Sequence, residues 1–426
     1  IAATGIASLT VTNNSTLTVG TVNTIAGVSS TGLISITSNA IELNGNLTVT
    51  TSTTDGVSLL SKTYIKNTGL SATTINTQGG ALLMAANIDD ATDADTTTNG
   101  YIGLREGLTV NTRGGNITLG GGDTSGSGYA LGGSTVGPNE GIRIDKVLSL
   151  LSGGGNISIK GKSYAMNPGN GAGAAGFGVY YLAGAASINS GLGTIYIEGY
   201  SQTTYSNTYG SGLLFALNNS YATTITSSAT NNPNAIKLVG VATGTSGDVW
   251  GMEVETSSPL NLYATGVGGG ISLLTSQKNT ASNYEIVIRS AMEILANGGD
   301  IKMLGGQVLS GSTGISGGTW DGSATVAIGS KTGSSYVASS SSNLTMNYDK
   351  YNWAAAYYPA VRTTGTVTWD GSGASTTGFG QAVDTGYFTF TGITGMKIGS
   401  LANTQSISVS VVALSVAGPI EILAMG

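Results

Sequence analysis

Gly-Asn-Ile-Thr-Leu-Gly, at residues 115–120, is the first of six closely similar short segments in this chain. The other copies place a comparable alternating triplet after a small or polar pair, at 155–160, 193–198, 234–239, 269–274 and 299–304. Their leading isoleucines follow one another at intervals of 40, 38, 41, 35 and 30 residues. A strand that recurs at a variable interval is typical of a solenoid whose coils carry loops of different length. The sequence therefore predicts an all-β fold, a three-sided parallel β-solenoid (β-helix) with variable loops at one corner.

The composition agrees with this architecture and excludes several classes of protein. Only 9% of the 426 residues are charged, against about 25% in a usual soluble domain, and 68 are glycine. Because there is no cysteine and no histidine, disulfides and thiolate metal sites are excluded and the commonest general base is missing. The net charge of −6 comes without a basic cluster, which argues against nucleic-acid binding. The sequence also has no run of about 20 apolar residues that would span a membrane.

The segment 101–121 shows how one coil is built. It contains three short alternating runs separated by glycine-containing corners, and period-two alternation directs its aliphatic side chains to one face. We expect these side chains inside the coil: Ile102, Leu104, Leu108, Val110, Ile117 and Leu119. Thr109 and Thr118 then point outward. Successive coils stack in parallel about 4.8 Å apart, which predicts ladders of like residues such as Asn116 over Asn156.

The regularity of the pattern varies along the chain. We divide it into N-terminal coils (1–100), regular coils (101–306), an irregular elaborated region or insertion (307–385) and C-terminal coils (386–426). The last copy of the pattern, with Ile420 and Ile422 facing inward, has no polar cap after it. Open strand edges are normally capped, so the sequence predicts either a longer parent chain or end-to-end stacking into a filament.

Two stretches resemble the repeats of filamentous haemagglutinin-type exoproteins: the segments 20–37 and 113–121. The similarity covers most of residues 1–306 and the last coil, although the secretion domain of that family is not evident. It implies a right-handed parallel β-helix, a bacterial surface or secreted location by two-partner secretion, and a role in adhesion or aggregation. The short segment 317–323 is also similar to phage tail-fibre sequence.

One segment has the composition of a calcium loop. Asp89, Asp90, Asp93 and Asp95 crowd together, and oxygen ligands at this density can hold Ca²⁺. However, the segment lacks the glycine of a tight metal loop and the distal glutamate of an EF-hand. A solvated acidic loop is the preferred interpretation, and we expect no other cofactor.

A second group has the residue types of a polysaccharide-cleaving site. Glu253, Glu255, Glu285, Arg289 and Glu293 form the densest set of charges that the alternation directs outward. Two carboxylates about 5–9 Å apart would indicate glycoside chemistry. If Met252 pairs with Ile286, and Val254 with Ile288, Glu255 lies beside Arg289 on the next coil. The sequence therefore predicts a structural ion pair there rather than a catalytic one.

Aromatic residues form two further groups. Tyrosines cluster at 180, 181, 196, 200, 205, 209 and 221, where a glycan-binding strip competes with simple packing of tyrosines along a coil face. A second patch is either a local core or, if exposed, a partner-binding surface: Tyr348, Tyr351, Trp353, Tyr357 and Tyr358.

Together these features predict an extracellular structural or adhesive β-solenoid without catalysis, which associates with copies of itself or with a surface glycan or receptor. We expect neither nucleic-acid binding nor a membrane span. Two alternatives stay open: a polysaccharide-active β-helix enzyme, and a trimeric fibre of the phage tail type.

Overall fold

The chain folds as a β-solenoid made almost entirely of parallel strands. The structure, a computed structural model, describes residues 1–426 apart from 52, 68, 70–71, 90–99, 134–138, 165–175, 183–184, 203–208, 217–221, 244–247, 256–258, 278–283, 307–318, 323–325, 330–340, 349, 354–358, 372–378, 380–381, 410–413 and 425–426. The described part contains no α-helix, only a 3-10 turn at Thr385–Tyr387. Consequently none of its segments is a helix of the length and apolarity needed to cross a bilayer.

Each coil has three sides, and each side stacks on the same side of the next coil to form a parallel ladder. The first ladder contains Ile65–Asn67, Ile102–Leu104, Ile142–Ile144, Gly176–Tyr181, Tyr209–Phe215, Asp248–Val254, Tyr284–Ile288, Thr319–Gly322 and Lys350–Trp353. The second contains Ala3–Ile6, Val28–Ser30, Leu47–Val49, Thr73–Asn76, Leu108–Asn111, Leu148–Leu151, Ala186–Asn189, Thr223–Ser227, Val326–Gly329, Ala360–Arg362, Thr389–Ile393 and Leu414–Val416. The third contains Val57–Ser61, Leu82–Ala86, Ile117–Gly121, Ile157–Lys162, Ile195–Ser201, Ile236–Ala242, Leu344–Met346, Thr366–Trp369, Gly395–Gly399 and Ile420–Leu423.

Some strands turn a corner or lie beside the ladders. Four long strands each contribute to two ladders: Leu9–Val19, Ile34–Leu43, Leu260–Gln277 and Met292–Leu304. Ala130–Leu131 pairs alongside the third ladder, and Val383–Asp384 pairs in parallel with Ile407–Ser408. An antiparallel pair joins Thr21–Val22 to Ile25–Ala26.

The repeated strand that opens the sequence pattern is the third side of the coil, as predicted. The six leading isoleucines stand in direct register and are all buried: Ile117, Ile157, Ile195, Ile236, Ile271 and Ile301. Variable loops at one corner are confirmed by the strand bounds. Between the third and first sides, 20 residues separate Gly121 from Ile142, whereas only 3 separate Leu104 from Leu108 between the first and second sides.

The corner before the third side depends on an asparagine ladder and on glycine. The Asn116 side-chain oxygen accepts from the Asn156 backbone N–H at 2.8 Å, and Asn156 repeats the contact to Thr194 at 2.9 Å. Gly114 has a φ of +122°, a conformation that favours glycine. Its neighbour Gly115 is required for a different reason, since a Cβ there would lie 2.2 Å from the carbonyl oxygen on the preceding coil.

In the middle of the rod, the third-side strands continue beyond their corner and cover the beginnings of first-side strands. Glycines make this close approach feasible. A Cβ on Gly199 would lie 1.9 Å from the Gly212 carbonyl oxygen, and one on Gly240 would lie 2.1 Å from that of Gly251. We call this region the covering layer; it consists of the glycine-containing ends of Ile157–Lys162, Ile195–Ser201 and Ile236–Ala242. It buries surface that a plain three-sided coil would expose.

The last coil keeps the predicted register. Ile420 pairs with Met396 and Ile422 with Ile398, so both isoleucines occupy core-type positions. Their side chains are nevertheless 43% and 45% exposed.

Candidate functional site

Glu255 and Arg289 meet on neighbouring coils, as the sequence predicts. Met252 pairs with Ile286 and Val254 with Ile288, which fixes the register. Arg289 Nη1 then lies 2.6 Å from Glu255 Oε1. The predicted ion pair is confirmed.

The same guanidinium also holds a second carboxyl group. Arg289 Nη1 lies 2.8 Å from Glu253 Oε1, and Ser211 Oγ donates to Glu253 Oε2 at 3.0 Å. The Arg289 guanidinium lies over the Trp250 ring, 5.1 Å from its centroid. We call Ser211, Trp250, Glu253, Glu255 and Arg289 the carboxyl–arginine network. It joins three consecutive coils.

The outward position predicted for Glu253 and Glu285 is wrong, because both side chains are buried. Glu285 Oε2 accepts from Thr275 Oγ1 at 2.9 Å and from the Gly306 N–H at 2.7 Å. Thr275 follows Gly240 in the ladder that forms the covering layer, so this layer extends over Glu285. Glu293 lies partly exposed on the second side and accepts a hydrogen bond from the Tyr263 hydroxyl.

Burial changes the protonation of Glu253. Loss of solvation raises its pKa to about 9, and the hydrogen bond and negative charge of Glu255 act in the same direction. Arg289 and Ser211 oppose the shift without cancelling it. Glu253 is therefore a neutral acid at neutral pH, hydrogen-bonded to the Glu255 carboxylate.

The tyrosine cluster divides between the interior and two outer faces. Tyr181 is buried in the core and stacks on Phe215, with 5.1 Å between ring centroids. Tyr180 lies on the first side, 4.9 Å from Phe177, and burial raises its pKa to about 12. The side chains of the tyrosines at 205, 209 and 221 lie outside the described residues.

Tyr196 and Tyr200 lie on the outer face of the third side, among lysines. The Nζ atoms of Lys160 and Lys237 lie 5.5 and 5.4 Å from the Tyr196 ring centroid. Lys162 lies 5.4 Å from the Tyr200 centroid. We call this group the lysine–tyrosine patch, and its members are Tyr129, Lys160, Lys162, Tyr196, Glu198, Tyr200 and Lys237.

The predicted calcium loop and the second aromatic patch fall largely outside the described residues. Asp89 is exposed, whereas Asp90, Asp93 and Asp95 lie outside the described part. No group of three or more potential metal ligands occurs within the described ranges. Tyr351 and Trp353 lie in a first-side strand, but their side chains are not among those described, and Tyr357 and Tyr358 lie outside the described part altogether.

Tyr348 does not belong to an exposed surface, because its side chain is fully buried. It continues the alternation of Leu344 and Met346. The aromatic core near it comes from residues that the sequence reasoning passed over: Trp369, Phe379, Phe388 and Phe390.

No family model, no curated protein and no solved structure matches this chain. The resemblance to haemagglutinin-type repeats therefore stays a prediction from the sequence. Any functional argument has to come from the surfaces described above.

Proposed function

We propose that this chain is an extracellular structural and adhesive β-solenoid, a surface or filament-forming segment without catalysis. The observation that carries the proposal is the unbroken register of the third ladder. Within the described residues, thirteen successive parallel pairings connect Leu9–Val19 to Ile420–Leu423. Stacked coils around one aliphatic core make a stiff rod, and its sides provide extended contact surfaces.

The alternative of a polysaccharide-active enzyme finds less support in the carboxyl–arginine network. A glycosidase needs two carboxyl groups that face a substrate across a gap. Glu253 and Glu255 instead bond to each other and to the same guanidinium nitrogen, and the Glu253 side chain is only 3% exposed. This arrangement stabilises neighbouring coils and leaves no space for a sugar between the two acids.

Association of copies end to end is part of the same proposal. Ile420 and Ile422 occupy core-type register positions yet are partly exposed, and a parallel strand edge readily accepts another strand. A second coil placed on this edge would bury both side chains and pair the open backbone groups.

Electron microscopy of the purified chain tests this function. The thirteen pairings at about 4.8 Å give a rod of roughly 60 Å, and we expect end-to-end association to produce filaments with multiples of that length. Light scattering in parallel measures the mass, and a compact trimer would favour a phage-type fibre. Depolymerisation of a polysaccharide by the purified chain, or failure to adhere to any cell or polymer surface, would overturn the proposal.

A further inference from the structure

The lysine–tyrosine patch carries positive charge that the protein does not neutralise. Lys160 Nζ donates to the Ser127 carbonyl oxygen at 2.8 Å, and the contact of Lys237 is with the Tyr196 ring. Neither lysine forms a salt bridge with a described residue. On the first side, by contrast, Lys66 pairs with Glu42 at 3.0 Å, and Arg143 pairs with Asp145 at 2.7 Å.

The one acid of the patch is already engaged by hydroxyl groups. Glu198 Oε1 accepts from the Tyr129 hydroxyl and Oε2 from the Tyr196 hydroxyl, both at 2.7 Å. Burial and the Glu198 charge raise the pKa of Tyr196, so its hydroxyl keeps its proton. Both carboxylate oxygens are thus directed at tyrosines, and the Tyr196 ring is held between the two ammonium groups.

The ladder register places these groups in a row along the rod. Thr118, Ser158, Tyr196 and Lys237 are successive partners on the outer face of the third side. A long ligand lying parallel to the rod would meet hydroxyl groups first and ammonium groups next. Charge-assisted hydrogen bonds to carboxylates are the strongest contacts that lysines offer to such a ligand.

We propose that the lysine–tyrosine patch binds an acidic polysaccharide, a polymer of uronic acid sugars. Its carboxylates would bind the ammonium groups of Lys160 and Lys237, and its hydroxyl groups would bond to Thr118 and Ser158. A nucleic acid fits less well, because a chain with a net charge of −6 and no continuous basic stripe repels a phosphate backbone. The inference rests on the proposed adhesive function and names the partner class for it.

Binding of the full chain to immobilised polygalacturonate tests the inference, with neutral dextran, single-stranded DNA and phosphatidylserine vesicles in parallel. We expect wild-type protein to bind polygalacturonate and to be released by salt. The double substitution Lys160→Gln with Lys237→Gln is expected to weaken binding by about tenfold or more. Lys397→Gln is the matched control, since Lys397 is an exposed lysine on the same side of the rod, and it should change binding by less than about twofold.

A substitution of opposite sign separates recognition from misfolding. Glu198→Gln keeps a side-chain oxygen for a tyrosine hydroxyl but removes the negative charge, so binding to polygalacturonate should become tighter. Unchanged binding in the lysine variant, an equal loss in Lys397→Gln, or stronger binding to DNA or vesicles would overturn the inference. If the rods adhere to cells while no variant affects polyuronate binding, this inference fails and the adhesive function stands. If the rods adhere to nothing, the proposed function fails as well.

Discussion

Gly240→Ala is expected to destabilise the middle of the rod by about 3 kcal/mol or more, at the upper end of what overpacking costs. An added Cβ would lie 2.1 Å from the Gly251 carbonyl oxygen, a distance at which backbone must move. Neither strand can retreat easily, since Gly240 is held in register with Gly199 on one side and Thr275 on the other. Separation of the covering layer from the first side would also expose Glu285 to water. Chemical denaturation followed by circular dichroism measures the loss.

Gly20→Ala provides the control for this substitution. The nearest atoms to a Cβ at Gly20 lie at 3.9 Å, an ordinary contact distance, and its backbone is not in the left-handed region. Its stability should stay within about 0.5 kcal/mol of wild type. Because coils contact only their neighbours, hydrogen exchange in Gly240→Ala should increase around residues 195–260 and much less near the two ends. Equal denaturation midpoints for wild type and Gly240→Ala would show that the layers are not in close contact.

The covering layer explains why the sequence predicts the coil better than the burial of its charges. Alternation of period two places Ile117 and its successors correctly, because every third-side strand has the same aliphatic register. The same rule directs Glu253 and Glu285 outward and is correct about the register, but it cannot reveal that another layer lies over the strand. A signal for that layer does exist. Glycine occurs four residues after the leading isoleucine in three consecutive copies, at Gly161, Gly199 and Gly240.

The candidate sites show the same division. The pairing of Glu255 with Arg289 follows from register alone, since it requires only that two neighbouring strands be aligned. The lysine–tyrosine patch depends on how long side chains bend toward one another across coils, as in the approach of Lys160 to a ring that pairs with Ser158. The position of Tyr348 could have been predicted, because Leu344, Met346 and Tyr348 alternate. Attention to its aromatic neighbours in sequence hid that pattern.

The buried acid Glu253 makes stability depend on pH. Its pKa in the folded chain is about 9, against 4.5 for an ordinary glutamate. Between these two values the unfolded chain has released a proton that the folded chain still binds, so stability falls as the pH rises through this window. The slope is at most about 1.4 kcal/mol per pH unit, and three units above the lower limit give a loss of up to about 4 kcal/mol. Below a pH of about 4.5 the group is protonated in both states and has no such effect.

Glu253→Gln is expected to remove this dependence and to stabilise the rod at neutral and alkaline pH. The amide stays neutral, accepts from Arg289 and donates to Glu255, so it reproduces the contacts of the protonated acid. Denaturation midpoints measured from about pH 4.5 to about pH 9 should coincide at the acid end and diverge steadily above it, with the variant more stable. Other titrating groups contribute equally to both proteins and cancel in the difference. Glu421→Gln, at an exposed position of the last strand, should follow the wild-type curve. Parallel curves for wild type and Glu253→Gln would mean that Glu253 ionises in the folded rod as readily as in the unfolded chain, with Arg289 neutralising it fully.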